Sequence, residues 1–297
     1  MRISVVTACY NQEKTVHETI NSILSQRFSD LQYIFIDGAS TDSTLEIARS
    51  FSKEIDVLIS EPDAGQYHAI QKGFEHANGE IMAWLNGDDI YHPWTLSIVE
   101  EIFEENPNID WIIGLPTFMN KKGQCTRVSN DVAAFPKEWI KNGWYRSHLA
   151  GYLQQESMFW RKSLWDKTNG LDLSLSLAAD FELWTQFAKH AELVAVSVPL
   201  AAFRVALGEQ RSSIGRADYD SEVLSVCEPL NKPSFLWNSI ANFGVVWRSL
   251  CRFLVWKKGM FIAFSEDKNT WILNNSYRPI SRISWAGLLL EQKIKTK

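Results

Sequence analysis

Over the first 115 residues, short runs of β-branched and aromatic residues alternate with stretches of helical period. Ile3-Ser4-Val5-Val6 reads as a strand, and Val16, Ile20, Ile23 and Leu24 follow at helical spacing. Tyr33-Ile34-Phe35-Ile36, Val57-Leu58-Ile59, Ile81-Met82-Ala83-Trp84-Leu85 and Trp111-Ile112-Ile113 recur as further strands, with helical segments between them. Strands that alternate with helices predict an α/β fold, a mostly parallel central sheet flanked by helices. Residues 116–215 are less regular. They hold one clear helix, Ala178 to His190, with Phe181, Leu183, Trp184 and Phe187 on its apolar side. A strand from Leu193 to Val205 and the polar loop Gly208 to Ser213 come next.

From residue 234 the pattern changes again. Leu236, Ile240, Phe243, Trp247, Leu250 and Leu254 recur every three or four residues with Arg248 and Arg252 off the stripe, which predicts an amphipathic helix over 235–256. Arg248, Arg252, Lys257 and Lys258 interrupt the apolar stretch before it reaches the roughly 20 residues that a bilayer core requires. Residues 234–297 carry five tryptophans, and ten Lys/Arg against three Asp/Glu. That composition suits peripheral contact with an anionic membrane. It equally suits packing on the preceding domain or on a second copy of the chain.

Composition narrows the function classes. At 297 residues and 45% apolar content the chain can bury a full core. A formal charge of -5 leaves no basic footprint for nucleic acid over the first 233 residues. Cys9, Cys125, Cys227 and Cys251 form no CxxC pair, which argues against a zinc site or a disulfide framework and for a reducing compartment. Residues 1–10 read as strand and turn, not as a signal peptide, so the expected location is the cytoplasm.

Ligands on an open parallel sheet bind at the carboxyl ends of its strands, and here those ends are polar. Thr7, Tyr10, Asn11 and Glu13 follow the first strand; Asp37 to Asp42 the second; Glu61-Pro62-Asp63 the third; Asn86-Gly87-Asp88-Asp89 the fourth. Adjacent carboxylates at the end of a buried strand repel unless a cation or hydrogen bonds hold them. Oxygen ligands favour Mg2+ or Mn2+, with coordination positions left for substrate phosphates. The alternative is that Asp88 and Asp89 cap a helix starting near Pro93. Asp37 and Asp63 suit hydrogen bonds from ribose hydroxyls or a base N–H, or else turn and cap chemistry. His68 and His148 have no metal-ligand spacing to another His or Cys.

Taken together these loops resemble the family 2 glycosyltransferases of the GT-A fold. The resemblance rests on Val5 to Glu13, Ile36 to Thr44, Glu61 to Gly73 and Ala77 to Asp89, four motifs in one register. It continues more loosely through Gln155 to Trp165, Gly170-Leu171-Asp172 and Ala179 to Trp184. The resemblance implies a single GT-A-like (Rossmann-like) domain over residues 1–233, with a nucleotide-sugar half (1–115) and an acceptor half (116–233); the change of pattern at 234 sets off a C-terminal helical extension (234–297). It implies that Thr7, Asn11, Glu13, Asp37 and Asp63 line the nucleotide pocket and that Lys72 approaches the donor phosphates. Asp88 stands at the family's metal-binding aspartate. Asn86 and Gly87 depart from the usual Asp-x-Asp pattern, so Asp89 is expected to share the metal.

Asp180 matches the family's catalytic base, although acids near a helix start are favoured for their effect on the helix dipole alone. Gln210 and Arg211 are placed to reach the diphosphate, or lie in a solvated loop. The implied activity is an inverting, Mg2+- or Mn2+-assisted transfer of a hexose from a nucleotide-sugar donor to a glycan or lipid-linked acceptor, of the kind used in bacterial surface polysaccharide synthesis. The enzyme would be cytoplasmic or peripheral on the inner membrane face. A nucleotidyltransferase or a dehydrogenase would need a glycine-rich phosphate loop, and the chain has neither GxGxxG nor GxxxxGK[ST]. A binding module derived from a transferase would not need both Asp88 and Asp180.

Overall fold

A computed structural model describes residues 1–129, 132, 134–146, 149–205, 216–227 and 256–279. Strands β1 (Ile3–Cys9), β2 (Leu31–Asp37), β3 (Val57–Ser60) and β4 (Ile81–Trp84) alternate with helices α1 (Val16–Leu24), α2 (Thr44–Ser50) and α3 (Gln66–Glu75). These four strands pair in parallel, in the order β4-β1-β2-β3. The alternation read from the sequence is therefore the alternation found. After β5 (Ile90–Tyr91) and α4 (Thr95–Glu105) come β6 (Trp111–Ile113), β7 (Thr117–Met119) and β8 (Cys125–Val128). Short α5 (Lys137–Lys141) precedes a 3-10 turn at Gln155–Ser157, β9 (Met158–Arg161), α6 (Lys162–Trp165) and α7 (Ala179–His190).

Strand β9 inserts antiparallel between β4 and β6, so the sheet is mostly but not wholly parallel. Side chains of successive strand residues point to opposite faces and feed two cores. Val6, Ile34, Ile36 and Trp84 face the core that α3 and α7 cover. Val5, Tyr33, Phe35 and Ala83 face the core of α1 and α4.

Three expectations change. The single strand expected over Leu193–Val205 is two, β10 (Leu193–Val196) and β11 (Ala201–Arg204). Pro199 lies between them; its ring fixes φ and supplies no N–H to a ladder. Strand β10 stays in the central sheet, while β11 joins a second, four-stranded sheet with β5, β7 and β8. Secondly, helix α4 begins at Thr95 with no side-chain cap, so Asp88 and Asp89 do not cap it.

Thirdly, where the helical extension is expected, β12 (Trp256–Ser265) and β13 (Thr270–Pro279) form an antiparallel hairpin that continues the central sheet by pairing β12 with β10. The Trp271 indole N–H donates to Glu101 (3.1 Å) and its amide to Glu105 (2.8 Å), docking the hairpin on α4. The amphipathic helix expected over 235–256 otherwise lies outside the described residues. Among the described residues no helix is long and apolar enough to cross a membrane.

Candidate active site

The loops after β1, β2, β3 and β4 meet at one end of the sheet, tied together by side chains that bond across loops. Asn11 takes a left-handed backbone (φ 52°), and its Oδ1 accepts the Thr41 amide at 2.8 Å. The Ser40 hydroxyl accepts the Asn11 amide, Asp42 accepts the Glu13 amide, and Glu13 accepts the Ser43 amide. Asn11 and Glu13 are exposed at the rim.

Thr7 and Asp37 are fully buried. Tyr33 donates to the Thr7 hydroxyl (3.1 Å). Asp37 accepts the Ser60 hydroxyl (2.6 Å) and the Ser40 amide (3.1 Å), so both side chains brace the loops from within. Asp63 is half-buried and holds the turn before α3 through the Gly65 amide (2.8 Å). Lys72 is engaged in an ion pair with Glu61 at the foot of the same loop.

The Asn86–Asp89 loop resolves the question of its two carboxylates. Asp89 is fully buried, accepts the Arg204 amide at 2.9 Å, and is near the Asn86 side-chain amide at 3.4 Å. Burial first, then the charges of Asp88 and Glu156, push its carboxyl well above the usual range. Arg204, itself buried, clamps this loop: its Nε donates to the Asp88 carbonyl (2.7 Å) and its guanidinium pairs with Glu18. Asp88 is less buried than Asp89 and lies at the same strand end. Gly87 is the one residue type the spot admits without adjustment, because a Cβ there would overlap the Cys9 sulfur.

The loop also reaches sideways. Gln66 donates to Asn86 (2.7 Å), and Asn86 donates to Gln155 (3.2 Å), whose own amide is held by the Trp84 carbonyl (2.7 Å). Beside Gln155, Glu156 is buried with an unpartnered Oε1, and burial followed by the Asp88 charge pushes it up to about 8. Among the described residues no group of three His, Cys, Asp or Glu is gathered to hold a metal. The donor set at Asp88 still fits a hard divalent cation, because such an ion keeps most of its positions for water and phosphate and needs only one or two carboxylates. After burial, the Asp88 charge contributes to the rise of both Asp89 and Glu156, so a cation here would relieve the repulsion among these carboxylates.

Asp180 arrives from the other side. Trp184, one turn later on α7, stacks on Trp84 at 5.6 Å and 13°, which fixes the helix over the end of β4. The Tyr67 hydroxyl lies 2.9 Å from Asp180 Oδ1 and 2.9 Å from the Leu177 carbonyl. Burial raises the Asp180 carboxyl, opposed by the Phe181 amide and Tyr67, and the Glu222 charge adds to the rise. Glu222, on α8 (Arg216–Val226), accepts the amides of Ser176, Leu177 and Ala178 at 2.7–3.0 Å, and so holds the turn that leads into α7. Consecutive residues Gln66 and Tyr67 thus touch Asn86 and Asp180, bringing the Asp88 loop and the Asp180 helix to the same turn of α3.

Gln66, Tyr67, Gln155 and Glu156 lie within motifs that carry the resemblance but were given no role there, and Arg204 and Glu222 were not singled out by sequence. Gln155-Glu156 carried a signal, a polar pair directly before a buried apolar run. Arg204 and Glu222 act over 115 and 44 to 46 residues of chain and left none. Gln210 and Arg211 lie outside the described residues.

Comparison with known proteins bears on the family and the fold. Residues 4–167, more than half the chain, match the family model described as Glycosyl transferase family 2. The poly-beta-1,6-N-acetyl-D-glucosamine synthase of Staphylococcus epidermidis is 31% identical over 128 residues, 42% of this chain and 31% of that protein. The chain spans about a third of the length of the curated relatives it first matches. Among solved structures, S. aureus TarS 1-349 in complex with UDP-GlcNAc superposes with a TM-score of 0.60 at 18% identity, over 86% of this chain and 72% of that one. The mannosyltransferase PcManGT from Pyrobaculum calidifontis, in complex with GDP-Man and Mn2+, gives 0.54 at 18% identity, over 75% and 63%. Both likenesses concern the fold.

Proposed function

Given that the chain belongs to glycosyl transferase family 2, we propose that it transfers a hexose from a nucleotide-diphosphate sugar to an acceptor hydroxyl, with inversion. The observation that carries this reading is the meeting of the Asn86–Asp89 loop and Asp180 at the first turn of α3, through Gln66–Asn86 and Tyr67–Asp180. One group is thereby available for a leaving diphosphate and another for an incoming hydroxyl. In the reading, Asn11, Glu13 and Asp63 meet the nucleotide, Thr7 and Asp37 shape its loops, and Arg211 meets the diphosphate. Lys72, paired with Glu61, reaches phosphate only if that pair opens.

The acceptor oxygen attacks the anomeric carbon as the bond from that carbon to the diphosphate oxygen breaks. Its proton passes to the Asp180 carboxylate, and the nucleoside diphosphate leaves. Asp88 would hold Mg2+ or Mn2+, with Asp89 buried behind it as support, and the bound ion would offset charge on the departing diphosphate. A carboxyl raised by burial is better matched to taking a proton near neutral pH than an exposed one. The synthase relative, whose name gives a glycan as product, supports a glycan acceptor; a lipid-linked acceptor and work at the inner face of the membrane are further parts of the proposal.

The reading is tested by Asp180→Asn and Asp88→Ala. Asp180→Asn should leave the donor-induced rise in melting midpoint intact and cut turnover at least a hundredfold, the usual worth of a general base. Asp88→Ala should lose the metal-dependent part of donor binding. In the parent enzyme kcat should fall on the acid side as Asp180 protonates, along a limb that lies above the ordinary carboxylate range. Near-normal turnover of Asp180→Asn would refute the base assignment.

A further inference from the structure

The Tyr67 phenol has one proton and two acceptors, Asp180 Oδ1 and the Leu177 carbonyl, each 2.9 Å away. Both acceptors belong to the same short segment, the entry into α7, and Tyr67 comes from the opposite half of the molecule. The ring is half-buried and packs against the α3–α7 core. A hydroxyl in such surroundings is fixed in position but free to turn.

We propose that Tyr67 is a positioning residue for Asp180, turning its single proton between the Asp180 carboxylate and the Leu177 carbonyl as the base changes charge. The proposal rests on Asp180 being the base of the transfer. With Asp180 ionised, the charge-assisted bond is the stronger of the two and takes the phenolic proton. When Asp180 accepts the proton of the acceptor hydroxyl, that advantage ends and the phenol turns to Leu177. The Tyr67 proton stays on Tyr67 throughout, so the only proton transferred is the acceptor's. The base keeps its place in both states, because the hydroxyl that anchors it is anchored in turn by the loop.

The chain order adds a second consequence. Gln66 holds Asn86 in the donor loop, and Tyr67, the next residue, holds the base. A displacement of the donor loop on binding would therefore be felt at Asp180 through one peptide unit.

The groups facing Asp180 are Tyr67 from α3 and Glu222 and Tyr219 from α8. Of these only Tyr67 donates to its carboxylate by side chain in the structure, and only Tyr67 is altered in the experiment. Tyr67→Phe removes one oxygen and keeps the ring. It should lower kcat tenfold to a hundredfold, roughly the kinetic equivalent of losing a hydrogen bond to a charged group, with donor KM unchanged. The acid limb of kcat should move to higher pH, since a carboxylate deprived of a donor is harder to ionise. Tyr67→Gln, which keeps a donor, should recover part of kcat and part of the limb.

Unchanged kcat and an unchanged limb in Tyr67→Phe would overturn the proposal. So would a fall in kcat with no shift of the limb and no recovery in Tyr67→Gln, which marks a role in packing alone. Asp180→Asn measured alongside separates the two levels: if that variant keeps its turnover, the base assignment itself has failed; if it is inactive, the Tyr67 result stands on its own.

Discussion

Asp88 and Asp89 are neighbours with opposite circumstances. Asp89 is sealed in and satisfied by the Arg204 amide, whereas Asp88 stands at the accessible end of the loop. Between β4 and that pair, Gly87 leaves room for the Cys9 sulfur and its carbonyl accepts the Thr15 hydroxyl at 2.8 Å. Gly87→Ala should therefore destabilise the protein by about 1–3 kcal/mol, the usual cost of overpacking. Combining it with Cys9→Ala should cost less than the two changes summed, because the second makes the space the first needs. Calorimetric melting of the three variants checks this; strict additivity would show that the sulfur is not the obstacle.

The same residues show where reading a chain stops. Thr7 and Asp37 stand in the right motifs, and the strand ends that carry them are where expected, yet both side chains turn inward. A motif places a residue at a strand end; which way its side chain points depends on partners such as Tyr33 and Ser60, distant in sequence.

At the scale of elements, α7 is the one whose placement the proposed chemistry needs, and it is held both along its length and at its entry. Trp184 stacks on Trp84, and Glu222 of α8 accepts the 176–178 amides. Glu222→Ala leaves three amides of that turn without their acceptor. It should cost about 1–3 kcal/mol, as leaving donors without a partner does, and lower kcat more than donor affinity, since the segment it holds carries the proposed base and not the proposed nucleotide loops. Denaturant melts and steady-state kinetics on the variant measure both; an unaltered melt would mean that solvent replaces the carboxylate fully.

Helix α7 itself was plain in the apolar spacing of Phe181, Trp184 and Phe187. Strand β9 was not, because Met158-Phe159-Trp160 is buried on both faces and carries no alternation to tell strand from core helix. The division of Leu193–Val205 was visible in Pro199, which sits where a central strand would need an N–H. The hold by Glu222 had no local sign at all.

Over the whole molecule, the βα alternation of the first 113 residues was legible because each parallel strand and its covering helix are close in sequence. The C-terminal part was not. The amphipathic helix expected over 235–256 lies, Trp256 apart, outside the described residues, and the hairpin Trp256–Pro279, whose β12 extends the central sheet beyond β10, had no sign in the local pattern. Trp271 there is buried and tied to Glu101 on α4, so this tryptophan is a packing residue. Pairing with a strand some 60 residues earlier is a property of the assembled sheet, and local composition does not encode it.

Asp88 and a divalent cation together are proposed to form the donor site on this sheet. The most direct test is the melting midpoint of the protein and of Asp88→Ala with UDP-, GDP- and dTDP-sugars, each with and without Mn2+, since a ligand that binds only the folded state raises the midpoint. The expected result is a rise with one nucleotide that requires Mn2+ and disappears in Asp88→Ala. No rise with any of them, or an equal rise in Asp88→Ala, would contradict it.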